Sequence, residues 1–155
     1  MDELERRSFL LRMTGNMLSA VLEGLEEVDP AIRRRVMARC GEACAREKHY
    51  GPAVDIAWRI SGEEGDLERI LDRANEEISW CGEWVRDGSV IRCTCDDCGC
   101  PLVRGSVLRL SEALCYCSLG WVSTIFEALL RRPVRVELEK ALGLGDDECR
   151  YAVFL

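Results

Sequence analysis

Ten cysteines in 155 residues constrain this chain more than any other feature, because most of them stand in tight pairs. They fall as Cys40-x3-Cys44, Cys93-x-Cys95-x2-Cys98-x-Cys100 and Cys115-x-Cys117, with Cys81 and Cys149 alone. Sulfurs this close in sequence suit a thiophilic metal ion or a redox couple. Scattered cysteines would read instead as small buried hydrophobes.

Size and composition separate a metal site from a disulfide framework. A chain of this length is about one domain, 1–155, and 48% hydrophobic residues suffice for a core without covalent staples. Dense disulfides belong mainly to small secreted domains that lack such a core. The charged start, Asp2-Glu3-Leu4-Glu5-Arg6-Arg7, has no basic region followed by an apolar run, so no export signal is read there. No stretch reads as the roughly 18–20 apolar residues of a membrane span. The expectation is a cytoplasmic protein whose cysteines are reduced.

A net charge of −7 opposes a nucleic-acid backbone as partner. Arg33-Arg34-Arg35 and Arg131-Arg132 read as solvated helix faces or helix ends. With His49 the single histidine, a four-ligand metal site must be mostly thiolate. As a residue between two helices, His49 reads as a surface side chain, with ligand and general base as the alternatives.

The order of patterns gives the fold class. Residues 3–28 read as one long amphipathic helix through Leu4, Leu11, Leu18, Leu22 and Leu25, with Gly15-Asn16 as an expected kink. Asp29-Pro30 caps and opens a second helix, on which Ile32, Val36, Cys40 and Cys44 recur every four residues along an expected apolar face. There Cys40 and Cys44 read either as packing or as two ligands of one metal. A third helix runs from Pro52 to Ile60, ending at Ser61-Gly62, and Asp66 caps a fourth. Asp87-Gly88 is the signal for a tight hairpin whose second strand enters the cysteine loop. A helix over 118–131 follows, with Cys115 and Cys117 at its mouth, where the helix dipole favours thiolate. Residues 133–140 alternate as a half-buried strand, and Cys149, Tyr151 and Val153 line a last one. The result is α+β: a helical part, 1–80, packed on a small antiparallel sheet formed within 81–155.

Within the cysteine loop, Cys95-x2-Cys98 is closest to a metal knuckle, and Asp96, Asp97, Gly99 and Pro101 let the chain turn around Cys98 and Cys100. Zinc tolerates thiolate tetrahedra without redox demands and is the default reading; an iron–sulfur cluster is the alternative. Thiol catalysis needs a base, and His49 is the only imidazole.

The segments Cys98-Gly-Cys100-Pro101, Cys115-Tyr-Cys117-Ser118-Leu-Gly120-Trp121 and Pro133-Val-Arg-Val-Glu137, with Cys40-Gly41-x2-Cys44-Ala45, resemble a cysteine-rich family of bacteria and archaea. Its members are often labelled L-2-amino-thiazoline-4-carboxylic acid hydrolase. It is similar to the 4-vinyl reductase domain, whose fold the TRAPP vesicle-tethering subunits share. The resemblance covers about residues 36–155 and implies Cys40, Cys44, Cys98, Cys100, Cys115 and Cys117 as the sulfur set. Gly145-Asp146-x2-Cys149 resembles that domain's closing motif, but Glu139, Lys140 and Ala141 stand where an upstream cysteine is usual.

The leading expectation is a thiolate metal-binding protein with a sensory, storage or structural role. Its ligands are drawn from Cys98, Cys100, Cys115 and Cys117, then Cys40 and Cys44. One alternative is a small thiol-dependent hydrolase of a thiazoline-like heterocycle. The other is a module that binds an apolar or sulfur-containing ligand or assembles with a partner. A homodimer through the long first helix is expected. Cys81, Cys93, Cys95 and Cys149 carry no assigned role.

Overall fold

The computed structural model describes residues 2–47 and 52–155, so His49 lies outside the described residues. Four helices come first: α1 (Glu3–Glu26), α2 (Pro30–Ala45), α3 (Ala53–Glu63) and α4 (Leu67–Glu77). A hairpin of β1 (Val85–Asp87) and β2 (Val90–Cys95) leads through the cysteine loop to the short helices α5 (Pro101–Arg104) and α6 (Glu112–Cys115). Helix α7 (Cys117–Leu130), β3 (Arg135–Lys140), a 3-10 turn at Leu142–Leu144 and β4 (Cys149–Phe154) complete the chain. The four strands make one antiparallel sheet in the order β1-β2-β4-β3. The α+β class is as the patterns indicate.

Capping explains where the helices begin. Asp2 and Glu5 form a reciprocal capping box on α1, and the Asp29 and Asp66 carboxylates accept amide hydrogen bonds at the starts of α2 and α4. Helix α1 is continuous through Gly15, which is buried where the helix meets Val107, so the expected kink is absent. Helix α3 continues through Ser61-Gly62 to Glu63. The hairpin turn lies one residue later than expected: Asp87 pairs with Val90, and Gly88 takes φ +64° in the turn.

The core lies between the sheet and α7, where Ile125, Phe126 and Leu129 meet Ile91, Cys93 and Val153. Trp84 packs on Phe126 at 4.7 Å and Trp80 on Trp121 at 5.0 Å, both edge to face. Contrary to expectation, the segment Glu112–Leu130 has the length and apolarity of a membrane-spanning helix. It is divided at Tyr116, and most of it is buried as the central helix of this core.

Helix α2 docks on α7 by a different face from the one its pattern suggests. Ile32 and Val36 are 43% and 39% exposed, and Cys40 and Cys44 are exposed with them. The buried stripe is Arg33, Met37, Gly41 and Ala45, one residue further on. A Cβ at Gly41 would lie 1.8 Å from the Cys117 carbonyl oxygen, and one at Gly120 1.8 Å from that of Ala38. Backbone approach between the two helices therefore decides the docked face, and outweighs the larger side chains of the other stripe.

Arg33 is the polar member of that stripe. Its guanidinium donates to the carbonyls of Leu25 at 2.9 Å, Glu26 at 2.8 Å and Val28 at 3.3 Å, closing the C-terminal end of α1. It also pairs with Glu112 at 3.1 Å. Substituting Arg33→Met is expected to cost about 1–3 kcal/mol, since it removes the partner of several partly buried carbonyls at once. Urea unfolding with a helix-sensitive probe checks this, together with faster amide exchange in the last turn of α1.

Candidate metal centre

Three sulfurs, those of Cys81, Cys93 and Cys95, lie within 4.8 Å of one another. Among the described residues this is the one cluster of three or more metal-ligating side chains so gathered. Cys93 and Cys95 are two apart on β2, so strand alternation turns both to the same, inward face. Their sulfurs are 3.9 Å apart, and both side chains are buried.

Cys81 is delivered from the connection after α4. Trp80 Nε1 donates to the Ala74 carbonyl at 2.8 Å. The Asn75 amide bonds both the N–H and the carbonyl of Trp84, each at 2.9 Å. A Cβ on Gly82 would stand 2.1 Å from the Thr94 carbonyl oxygen, so only glycine lets this segment lie flat on β2. Cys81 and Cys95 are joined by a disulfide with Cα atoms 5.3 Å apart, and the other eight cysteines are free. Burial pushes the Cys93 thiol up to about 12.

The six cysteines singled out by spacing and resemblance come from α2, the loop before α5 and the α6–α7 junction, and several of them are within electrostatic reach of one another. Their close partnerships are pairwise. Cys44 hydrogen-bonds Cys117, and Cys115 hydrogen-bonds Cys149. Cys98 and Cys100 sit on the loop between, where Arg104 holds the Cys98 carbonyl at 2.9 Å and Asp97 at 2.8 Å.

In each pair one sulfur is held as thiolate by the other's S–H. Cys117 lowers Cys44 to about 6, and Cys115 lowers Cys149 to about 6. The Cys149 sulfur also accepts the Leu142 amide at 3.5 Å and the Tyr151 hydroxyl. Cys115 and Cys117 are pushed up instead, first by donating S–H hydrogen bonds to these partners and then by burial. The thiolate-favouring effect expected at the mouth of α7 is thus overridden by thiol pairing. Cys149 stands opposite Cys95 across the β2–β4 ladder, which links the Cys115/Cys149 pair to the three-sulfur group.

The signal for Cys93 and Cys95 is present in the sequence as a period of two on a strand. Nothing local to Cys81 announces it, because its partner sulfur lies 14 residues away in sequence.

Fold and site together define a cysteine-rich α+β protein with a largely buried three-sulfur group compatible with metal binding. Residues 26–155 match the model of DUF6144, described as a family of unknown function, and the chain belongs to that family. The match begins at the end of α1. A search among curated proteins finds no match.

Proposed function

We propose that the protein binds one thiophilic metal ion, zinc, through Cys81, Cys93 and Cys95 in their reduced state. The observation that carries this reading is the mutual approach of the three sulfurs within 4.8 Å. A Zn–S bond of about 2.3 Å in a tetrahedron sets sulfurs about 3.8 Å apart. The Cys93–Cys95 separation of 3.9 Å suits that edge. Three thiolates around a divalent ion leave one net negative charge, less costly to bury than the two of a four-thiolate site. They also leave one coordination position open, the arrangement of reactive rather than closed zinc sites.

The disulfide and the metal compete for the same two sulfurs. Reduction of Cys81–Cys95 opens the site, and its formation ejects the ion, which fits a sensory role better than storage. Elemental analysis of protein reduced and purified without oxygen tests the reading. One zinc per chain that is released on oxidation supports it; a reduced, folded protein that takes up no zinc from micromolar solution overturns it.

We also propose that a second copy of the chain covers α1. Leu4, Leu11, Met17 and Val21 are each more than half exposed. The 24-residue helix is about 36 Å long, enough with Ile32 and Val36 to approach the roughly 800 Å² per partner of a stable interface. Helix α1 carries Arg6, Arg7 and Arg12 beside Glu3 and Glu5 in its first half, and Glu23 and Glu26 at its end, with Glu27 as its C-cap. An antiparallel pair sets these opposite charges against each other. Light scattering is expected to give a dimer that Val21→Glu dissociates; a wild-type monomer at tens of micromolar would count against it.

A further inference from the structure

The Cys44/Cys117 pair lies outside the three-sulfur group and has no part in the metal reading. Helices α2 and α7 cross with their backbones in contact at Gly41 and Gly120. Cys44 follows Gly41 by three residues, and the Cys117 backbone lies against Gly41, so the crossing brings the first residue of α7 beside Cys44. Access differs between them: Cys44 is exposed, Cys117 only partly so. An exposed sulfur with a second one behind it, both fixed by a close helix crossing, is the arrangement that attack and resolution require.

We infer that Cys44 and Cys117 form a thiol–disulfide exchange site, with Cys44 the attacking sulfur, Cys117 the resolving one, and the disulfide of a low-molecular-weight thiol as substrate. The Cys44 thiolate attacks one sulfur of the substrate, an S–S bond forms to Cys44, and the substrate's own S–S bond breaks to release the first thiolate. The Cys117 proton passes to solvent or to that leaving sulfur. The Cys117 thiolate then attacks Cys44, forming the Cys44–Cys117 disulfide and releasing the second thiol. Two electrons pass from the protein dithiol to the substrate, and no further oxidant or reductant is needed.

The hydrogen bond that holds Cys44 near 6 keeps it ionised at neutral pH without help from an imidazole. Cys117 stays protonated until Cys44 is consumed, because that same hydrogen bond and then burial push it up. Cys40, exposed and one turn earlier on the same helix, is a built-in reference.

The test uses the fully reduced chain and glutathione disulfide, followed by peptide mapping. Wild type is expected to yield the Cys44–Cys117 disulfide and two glutathione thiols per chain bridged. Cys117→Ser should instead trap glutathione on Cys44. With iodoacetamide at pH 6.5, Cys44 should react about fivefold faster than Cys40, after the lower nucleophilicity of a more acidic thiol is allowed for. That measurement on wild type carries the test if Cys117→Ser does not fold. Equal reaction of Cys40 and Cys44, or a glutathione adduct persisting on wild-type Cys44 without the internal bridge, overturns the inference. It stands independently of whether Cys81, Cys93 and Cys95 take a metal.

Discussion

Cys93→Ser is expected to abolish stoichiometric zinc while leaving the Cys81–Cys95 disulfide able to form, whereas Cys95→Ser should lose both. Removing one of three thiolates costs more than the ten- to hundredfold typical of an outer-shell change, so a loss of at least about a hundredfold in affinity is expected. Zinc at about a thousand times its dissociation constant should raise the unfolding free energy of the reduced wild type by about 4 kcal/mol, and that of either variant far less. The pH dependence has a definite sign. Burial holds the Cys93 thiol up to about 12, so the ion must displace its proton throughout the neutral range. Affinity therefore weakens as pH falls, by up to about tenfold per unit for each proton released. Competition with a chromophoric chelator at several pH values, on all three proteins, measures this. Zinc binding by Cys93→Ser at wild-type strength would remove the ion from this site.

Gly41→Ala is expected to be strongly disruptive, as is Gly120→Ala on the facing helix. The new Cβ would stand 1.8 Å from the Cys117 carbonyl oxygen and 2.7 Å from the Trp121 nitrogen, both backbone atoms that no rotamer change can move aside. The helices must separate by more than about 1 Å, costing about 3 kcal/mol or more in a close-packed interior. For a domain of this size that is a fall in melting temperature on the order of 10 °C. Separation would also part Cys44 from Cys117 and remove the rate advantage of Cys44 in alkylation. Gly24→Ala is the control: a Cβ there meets nothing within 4 Å, and the change should stabilise α1 by about 0.5–1 kcal/mol. Parallel unfolding curves decide the matter, and a Gly41→Ala protein as stable as wild type would mean that the helices do not cross as described.

Local signals were enough for the four N-terminal helices, the strands and α7, though not for the short helices α5 and α6. Each helix start with an Asx cap, each period of two or 3.6, and the class of fold follow from interactions within a few residues, which is the range a pattern records. The tight sulfur pairs of α2, the cysteine loop and the α6–α7 junction were likewise plain in the sequence. The docked face of α2 was not. Ile32, Val36, Cys40 and Cys44 are the more apolar stripe, yet Gly41 and Gly120 offer a closer backbone approach, whose value exists only once both helices are in place.

The sequence by itself thus determined an α+β chain rich in thiols, with Cys93 and Cys95 facing one way from a single strand. Only the tertiary structure decided which sulfurs meet. Cys81 reaches Cys95 because Asn75, Trp80 and Gly82 lay its segment along β2, and Cys149 meets Cys115 while standing opposite Cys95 in the sheet register. These partnerships join residues far apart along the chain, and the proton each thiol keeps or gives up depends on its partner. No local pattern encodes either, because both are properties of distance in the folded molecule.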